Sequence, residues 1–309
     1  MRVSREVADL VPACALSALL FATGVLVPVF GQPLGFVSSA PLVWLAARHG
    51  VRAGMLGGLL ATAALLPLLP PPVTLIFAVE HVLPAAGLGW SLARGRGIAL
   101  PSAVAAALVT ALLIGAAYLF AADAGRSPAA LLEEQLRAAF SELEGAAGTT
   151  AAPAALPQLE EILALLRRVL PAIALIGIWL ECALNTLIAA RFLARSSPSF
   201  PRPDLTSFAL PESLVWVLIP VLALSLVPQR EVANIALNAL LPLLFAYLLQ
   251  GLSIALHFAM RARVSRLGLT LAAAGCAVYP PLLVLPLLLG LLDFRFAFRG
   301  RFPAQPRQE

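Results

Sequence analysis

The chain has 309 residues, of which 61% are hydrophobic and 12% charged, with a formal net charge of +5. Soluble domains average about 45–50% apolar and about 25% charged residues, so a water-soluble globule is excluded and lipid must solvate much of the surface. All 21 basic residues are Arg, and they stand in small groups between apolar runs. That is the positive-inside pattern of a polytopic membrane protein, not a nucleic-acid-binding surface.

A spanning helix takes about 20 apolar residues. The first run, Leu10–Phe30, follows Arg2 and Arg5. It is too long for a signal-peptide core and is expected to stay as a membrane helix. The second, Leu34–Ala47, is short and ends at Arg48-His49-Gly50. That triplet caps a membrane helix and lacks the strand context of a phosphatase motif. The third, Gly54–Leu69, stops at Pro70-Pro71-Pro72, where proline cannot continue a helix. The fourth, Val73–Ala93, ends at Arg94 and Arg96, and the fifth covers Ile98–Ala122.

Residues 123–168 interrupt this pattern. Asp123, Glu133, Glu134, Glu142, Glu144, Glu160 and Glu161 outweigh Arg126, Arg137, Arg167 and Arg168, so the segment reads as an acidic insert outside the membrane. Ser127-Pro128 is a helix start, and Leu132, Leu136, Phe140 and Leu143 share one helical face. The small-residue stretch Gly145–Pro157 reads as a linker. An amphipathic turn (Leu159, Ile162, Leu163, Leu166) then leads into the sixth run, Val169–Ala190.

After the connection Arg191–Pro211 come the seventh run, Glu212–Val227, and the eighth, Val232–Met260, in which Pro242 marks a point for a kink. The ninth, Leu267–Leu292, is interrupted by Tyr279-Pro280-Pro281 and Pro286. The expected fold is therefore all-α: a polytopic helical bundle of eight or nine transmembrane helices. It has an N-terminal membrane block, residues 1–195, carrying the insert, and a C-terminal block, residues 196–309.

With a cytoplasmic N-terminus, the inner segments hold Arg2, Arg5, Arg48, Arg52, Arg94, Arg96, Arg191, Arg195, Arg202, Arg261, Arg263 and Arg266, and the short outer loops hold only Arg230. Nine spans would leave the tail arginines Arg295, Arg299, Arg301 and Arg307 outside. Either the ninth run is re-entrant or the tail is an exception to the charge rule.

Polar residues deep in the runs are the candidates for chemistry. Glu181 lies near the middle of the sixth run, where a charged carboxylate costs about 2.5–3.5 kcal/mol. Asn185 lies one turn on, on the same face. Glu80 and His81 form a second polar point, and Asn234 and Asn238 a third, again at i,i+4 spacing. These six residues are the candidate ligand-binding set; the alternative role for each is interhelical hydrogen bonding that fixes packing. No Arg lies within the runs, so Glu181 is expected to be neutral or hydrogen-bonded to His81, Asn185 or another polar side chain. Cys14, Cys182 and Cys276 lack metal-site spacing and read as packing residues. No catalytic motif, P-loop or dinucleotide fingerprint is present, so no catalytic residue, metal or cofactor is expected. The protein reads as a non-enzyme.

Phe208-Ala-Leu-Pro-Glu-Ser-Leu-Val-Trp216, Leu249-Gln-Gly-Leu-Ser-Ile254 and Gly290-Leu-Leu-Asp-Phe-Arg295 resemble stretches of the YybS-like family, bacterial integral membrane proteins of unknown function. The resemblance implies a multi-pass protein of the bacterial inner membrane and assigns no catalytic residues. The first block, through Pro41-Leu-Val-Trp-Leu-Ala-Ala-Arg-His-Gly50 and the Gly-rich Gly54-Met-Leu-Gly-Gly58, is also similar to substrate-binding S components of energy-coupling-factor vitamin transporters. There an Ala-x-x-x-Ala face docks on the coupling protein, a role the resemblance would give Ala18 and Ala22. The chain departs from S components in its acidic insert and three further runs. The resemblance implies a substrate-binding component of a transporter, with the bilayer and coupling subunits as partners. The alternative is a membrane scaffold or assembly factor that binds other proteins.

Overall fold

The structure, a computed structural model, describes residues 2–27, 30–123, 125–127, 130–131, 133–134, 137–138, 155–197, 200 and 204–301. The surface helix expected on Leu132, Leu136, Phe140 and Leu143, most of the linker Gly145–Pro157, and the tail from residue 302 lie outside the described residues. Among the described residues every regular element is helical, and they fall into two compact units, Met1–Pro203 and Asp204–Glu309.

Unit 1 contains α1 (Arg2–Leu26), α2 (Gln32–Gly35), α3 (Ala40–His49), α4 (Val51–Leu65), α5 (Pro71–Phe77), a π-helical turn (Ala78–Val82), α6 (Leu83–Ala93), α7 (Ala99–Asp123) and α8 (Ala155–Ser196). Its core is built around α3, which packs on α1, α4, α6 and α8. Leu42, Val43 and Leu45 are wholly buried. The packing is close because small residues line the crossings. A side chain on Gly54 would meet Ala46, one on Gly58 would meet Val82, and one on Gly89 would meet Ala46 and the α3 backbone. By contrast, α7 turns Leu100, Val104, Leu108 and Leu119 outward, as a lipid-facing helix does.

The second apolar run is not one helix. A turn at residues 36–39 separates α2 from α3. The amphipathic turn before the sixth run is continuous with it, giving a single 42-residue helix, α8. In the insert, Ser127 Oγ accepts from the Ala130 amide at 3.2 Å, and Glu133 takes ion pairs from Arg137 at 3.0 Å and from Arg167 of α8 at 2.8 Å.

Unit 2 contains a 3-10 turn (Glu212–Leu214), α9 (Val215–Ser225), α10 (Arg230–Arg261), α11 (Arg266–Val278), a second 3-10 turn (Pro280–Leu283), α12 (Val284–Phe296) and α13 (Phe298–Arg301). α10 passes through Pro242 without interruption. The ninth run is broken at Tyr279, and its halves are bent by 116°. α12 packs on α10 where Gly251 faces Pro286 and Gly290 faces Tyr247.

A polar knot closes unit 2. Gln250 Nε2 donates to Asp293 Oδ2 at 2.8 Å, and Gln250 Oε1 accepts from the Leu210 amide at 3.0 Å. Arg299 Nη1 donates to the carbonyls of Thr206 (2.9 Å) and Phe208 (2.8 Å). Its Nη2 lies 3.4 Å from Asp293 Oδ2. The start of unit 2 and its last described helix therefore meet. Beside them the Thr206 hydroxyl and amide hold the Asp204 carboxyl below its usual range.

Among the described residues five helices are long and apolar enough to cross a membrane: Arg5–Leu26, Pro71–Ala93, Ala99–Asp123, Ala164–Ser196 and Arg230–Arg261. The bent pair Arg266–Val278 and Pro280–Phe296 makes a sixth if counted as one span, while Val51–Leu65 and Glu212–Ser225 are shorter apolar helices.

Candidate functional site

Two prolines prepare the site. A proline has no amide hydrogen, and its ring crowds the carbonyl four residues back. Pro84, near the start of α6, therefore cannot make the α-helical bond to Glu80. Upstream of it the helix widens, and the Leu83 amide reaches back five residues to the Ala78 carbonyl. Such π-turns inside α-helices recur at functional sites; this one carries Glu80 and His81. Pro41 sits likewise near the start of α3. On either side of it, the Ala40 amide bonds to Val37 and the Leu42 amide to Ser39, so the α-helical partners they would have had, the carbonyls of Phe36 and Ser38, are left over.

Within an apolar bundle a carbonyl without a donor is costly. Side chains from two other helices supply the donors. Ser17 Oγ of α1 donates to the Ser38 carbonyl at 2.7 Å, and Asn185 Nδ2 of α8 donates to the Phe36 carbonyl at 2.9 Å. The same Nδ2 donates to the Glu181 carbonyl at 2.9 Å. These two carbonyl contacts fix which way the amide points, and Asn185 Oδ1 is left buried with no hydrogen-bond partner among the described residues.

The turn at 36–39 also contributes two hydroxyls. Ser39 Oγ lies 2.9 Å and Ser38 Oγ 3.2 Å from His81 Nδ1. The same nitrogen lies 2.9 Å from Glu181 Oε1, and both side chains are 5% exposed. The His81 ring packs against Phe21 and Phe77, with centroids at 5.1 and 5.4 Å, and those two rings touch each other at 4.8 Å. Glu80 is half-buried and close enough to interact electrostatically with both Glu181 and His81. One helix, α8, and the 36–39 turn thus converge on a single ring nitrogen carried by the π-turn.

Of the residues singled out from sequence, Glu80, His81, Glu181 and Asn185 come together here. Asn234 and Asn238 lie on α10 of unit 2, where both are half-buried and Asn238 Nδ2 donates to the Asn234 carbonyl at 2.9 Å. Ala18 and Ala22 are 8% and 7% exposed, packed inside unit 1 beside Ser17 and Phe21. The outward side of α1 carries Val11, Leu19 and Leu26 instead, so a partner contacting the two alanines would have to displace packing within the chain. Ser17, Ser38 and Ser39 were not anticipated; Pro41, which breaks the second run, was the signal that could have found them. His49 and Arg48 are held by Asp9, at 2.8 and 3.4 Å. Among the described residues no group of three or more His, Cys, Asp or Glu could hold a metal ion.

A family model described as "Predicted membrane protein (DUF2232)" matches residues 15–294. The chain belongs to this family. The matched stretch of the DUF2232 protein takes in the His81–Glu181 bridge and the Asp293–Gln250 knot. No curated protein and no solved structure matches it. An integral membrane protein is what the family and the apolar helices together describe.

The dependence of the turn on α8 can be measured. Asn185→Leu leaves the Phe36 carbonyl without its donor and should cost about 1–3 kcal/mol, seen as a lower unfolding temperature in mild detergent. Thr186→Val is the matched control. The Thr186 hydroxyl bonds only to the Cys182 carbonyl of its own helix, so this change should cost less than about 1 kcal/mol.

Proposed function

We propose that this is a multi-pass protein of the bacterial inner membrane, of YybS-like type, whose N-terminal unit is the substrate-binding membrane component of a transporter. The observation that carries the reading is the contact of His81 Nδ1 with Glu181 Oε1 at 2.9 Å, between two side chains that are each 5% exposed. Ionisable groups inside apolar helices are costly to insert and mark solute or proton pathways. Two further features fit. Discontinuous helices with unwound backbone form the midplane sites of many transporters, and the site is flanked by the 36–39 turn and a π-turn. The partners this implies are coupling subunits that supply the energy.

The topology that goes with the reading has a cytoplasmic N-terminus, eight crossings and a re-entrant ninth run. The short helices α2–α3, α4 and α9 count as crossings, and α11–α12 forms a hairpin bent at Tyr279. The contact of Arg299 with the carbonyls of Thr206 and Phe208 supports the hairpin, since the tail then shares a side with the 191–211 connection. Arg295, Arg299, Arg301 and Arg307 become cytoplasmic.

Single cysteines in a Cys-free background test the topology. Gly300→Cys and Gly95→Cys should resist an impermeant thiol reagent added from outside, and Gly148→Cys should react. Reaction at Gly300 with protection at Gly95 would remove the hairpin and restore nine crossings. The substrate role is tested by Glu181→Gln, which keeps shape and hydrogen-bonding capacity but cannot titrate. The variant should stay monodisperse in detergent, with about the wild-type unfolding temperature, and lose activity in a growth or uptake assay. A stable, fully active Glu181→Gln protein would leave the residue with a packing role alone.

A further inference from the structure

We propose that the His81–Glu181 site takes a small protonated amine in exchange for one proton held between the two side chains; this rests on the reading of the site as a substrate site. A ring nitrogen carries either one hydrogen or one lone pair. Around His81 Nδ1 stand three oxygens, Glu181 Oε1 and Ser39 Oγ at 2.9 Å and Ser38 Oγ at 3.2 Å. Without a hydrogen on the Nδ1···Oε1 line, a nitrogen lone pair would face a carboxylate lone pair, which is repulsive. One proton therefore lies on that line, whichever of the two atoms holds it. With Nε2 also protonated the pair is neutral overall, the form that a low-dielectric surrounding favours.

Removal of this proton leaves a buried negative charge. The chain has no Lys, and the arginines of the surrounding helices stand well along the chain from the bridge: Arg52 at the start of α4, and on α8 Arg167, Arg168, Arg191 and Arg195, each roughly 15 Å or more from Glu181 along the helix axis. The titratable groups near the bridge are Glu80 on the π-turn and Cys182 on α8. α1 and the 36–39 turn bring the hydroxyls of Ser17, Ser38 and Ser39. The charged residues of α4 and α7, Arg52 and Asp123, sit at their helix ends. Among the described residues no Lys or Arg stands beside the bridge to replace the proton, so it leaves when another cation arrives.

The kind of cation follows from the remaining groups. Asn185 is wholly buried and its Oδ1 has no donor among the described residues, so it is free to accept an N–H of the incoming group. Glu80 adds a second carboxylate within electrostatic reach. Phe21 and Phe77, in ring contact with His81, are aromatic neighbours of the kind that favour an ammonium group. Charge balances in the exchange: the ammonium enters and pairs with the Glu181 carboxylate, and the bridging proton leaves to water.

The full chain, purified in mild detergent and kept in weakly buffered solution with a pH-indicator dye, is titrated with methylammonium chloride. The expected result is release of about one proton per chain, with the apparent Kd rising about tenfold for each pH unit lowered, as one-for-one competition requires. Sodium and tetramethylammonium, which lack N–H groups, should release none. Glu181→Gln should abolish the release while the protein stays monodisperse; should Glu181→Gln fail to fold, His81→Gln, which removes the other end of the proton's line, should abolish it instead. No response from the wild type, methylammonium binding without proton release, or undiminished release from Glu181→Gln overturns the proposal. A neutral or anionic molecule found bound by native mass spectrometry, and lost in Glu181→Gln, would overturn the amine while leaving the substrate site standing.

Discussion

A carbonyl freed inside an apolar bundle has no water to turn to, and in unit 1 two such carbonyls depend on side chains from distant parts of the chain. Ser17 on α1 takes up the Ser38 carbonyl, and Asn185 on α8 takes up the Phe36 carbonyl. The turn between α2 and α3 can therefore exist at that depth only while α1 and α8 are packed against it. Once held, the turn presents Ser38 and Ser39 to His81, and α8 presents Glu181 to the same nitrogen. Backbone satisfaction and the candidate site are thus one arrangement: the residues that stop the break from being ruinous also place the ionisable pair.

Unit 2 meets the same constraint differently. Its polar atoms are gathered into a knot in which Asp293 accepts from Gln250, from the Phe298 amide and from Arg299. Three segments far apart in the chain, around Phe208, Gln250 and Asp293, converge on this knot and on the Gly251–Gly290 crossing beside it. Half-satisfied buried networks are unfavourable, and here the Asp293 carboxylate and the Gln250 amide each have several partners. A role in holding a bent apolar hairpin against α10 accounts for the recurrence of such residue types at widely separated points of the chain.

Run length and charge made the helical class and the longest spans legible, because a long apolar segment in lipid has few options other than helix. Glu181, His81 and Asn185 could be singled out because polar groups in such runs need partners. Run length hides where a run is broken. Pro41 and Pro84 each carried that information, since a proline has no amide hydrogen and disrupts the helix just before it, yet the sequence does not say which carbonyls are freed or which distant side chains take them up. The Ser38–Ser39 pair looks like any short polar break until His81 is placed beside it. Arg299, beyond the end of the last run, counts only towards membrane orientation in a sequence reading, and Asp293 has no role there; their bonds to Gln250 and to the Thr206 and Phe208 carbonyls depend on a 116° bend that no periodicity announces.

The central claim is that His81 and Glu181 act on each other across two helices and do not merely occupy the same region. A double-mutant cycle measures this, with His81→Ala, Glu181→Ala and the double substitution compared by unfolding free energy in one detergent. Direct interaction predicts a coupling energy of about 1–3 kcal/mol, the double variant being less destabilised than the two single changes added together. Additivity within about 0.5 kcal/mol would contradict the bridge, and with it the account of how the site is held together.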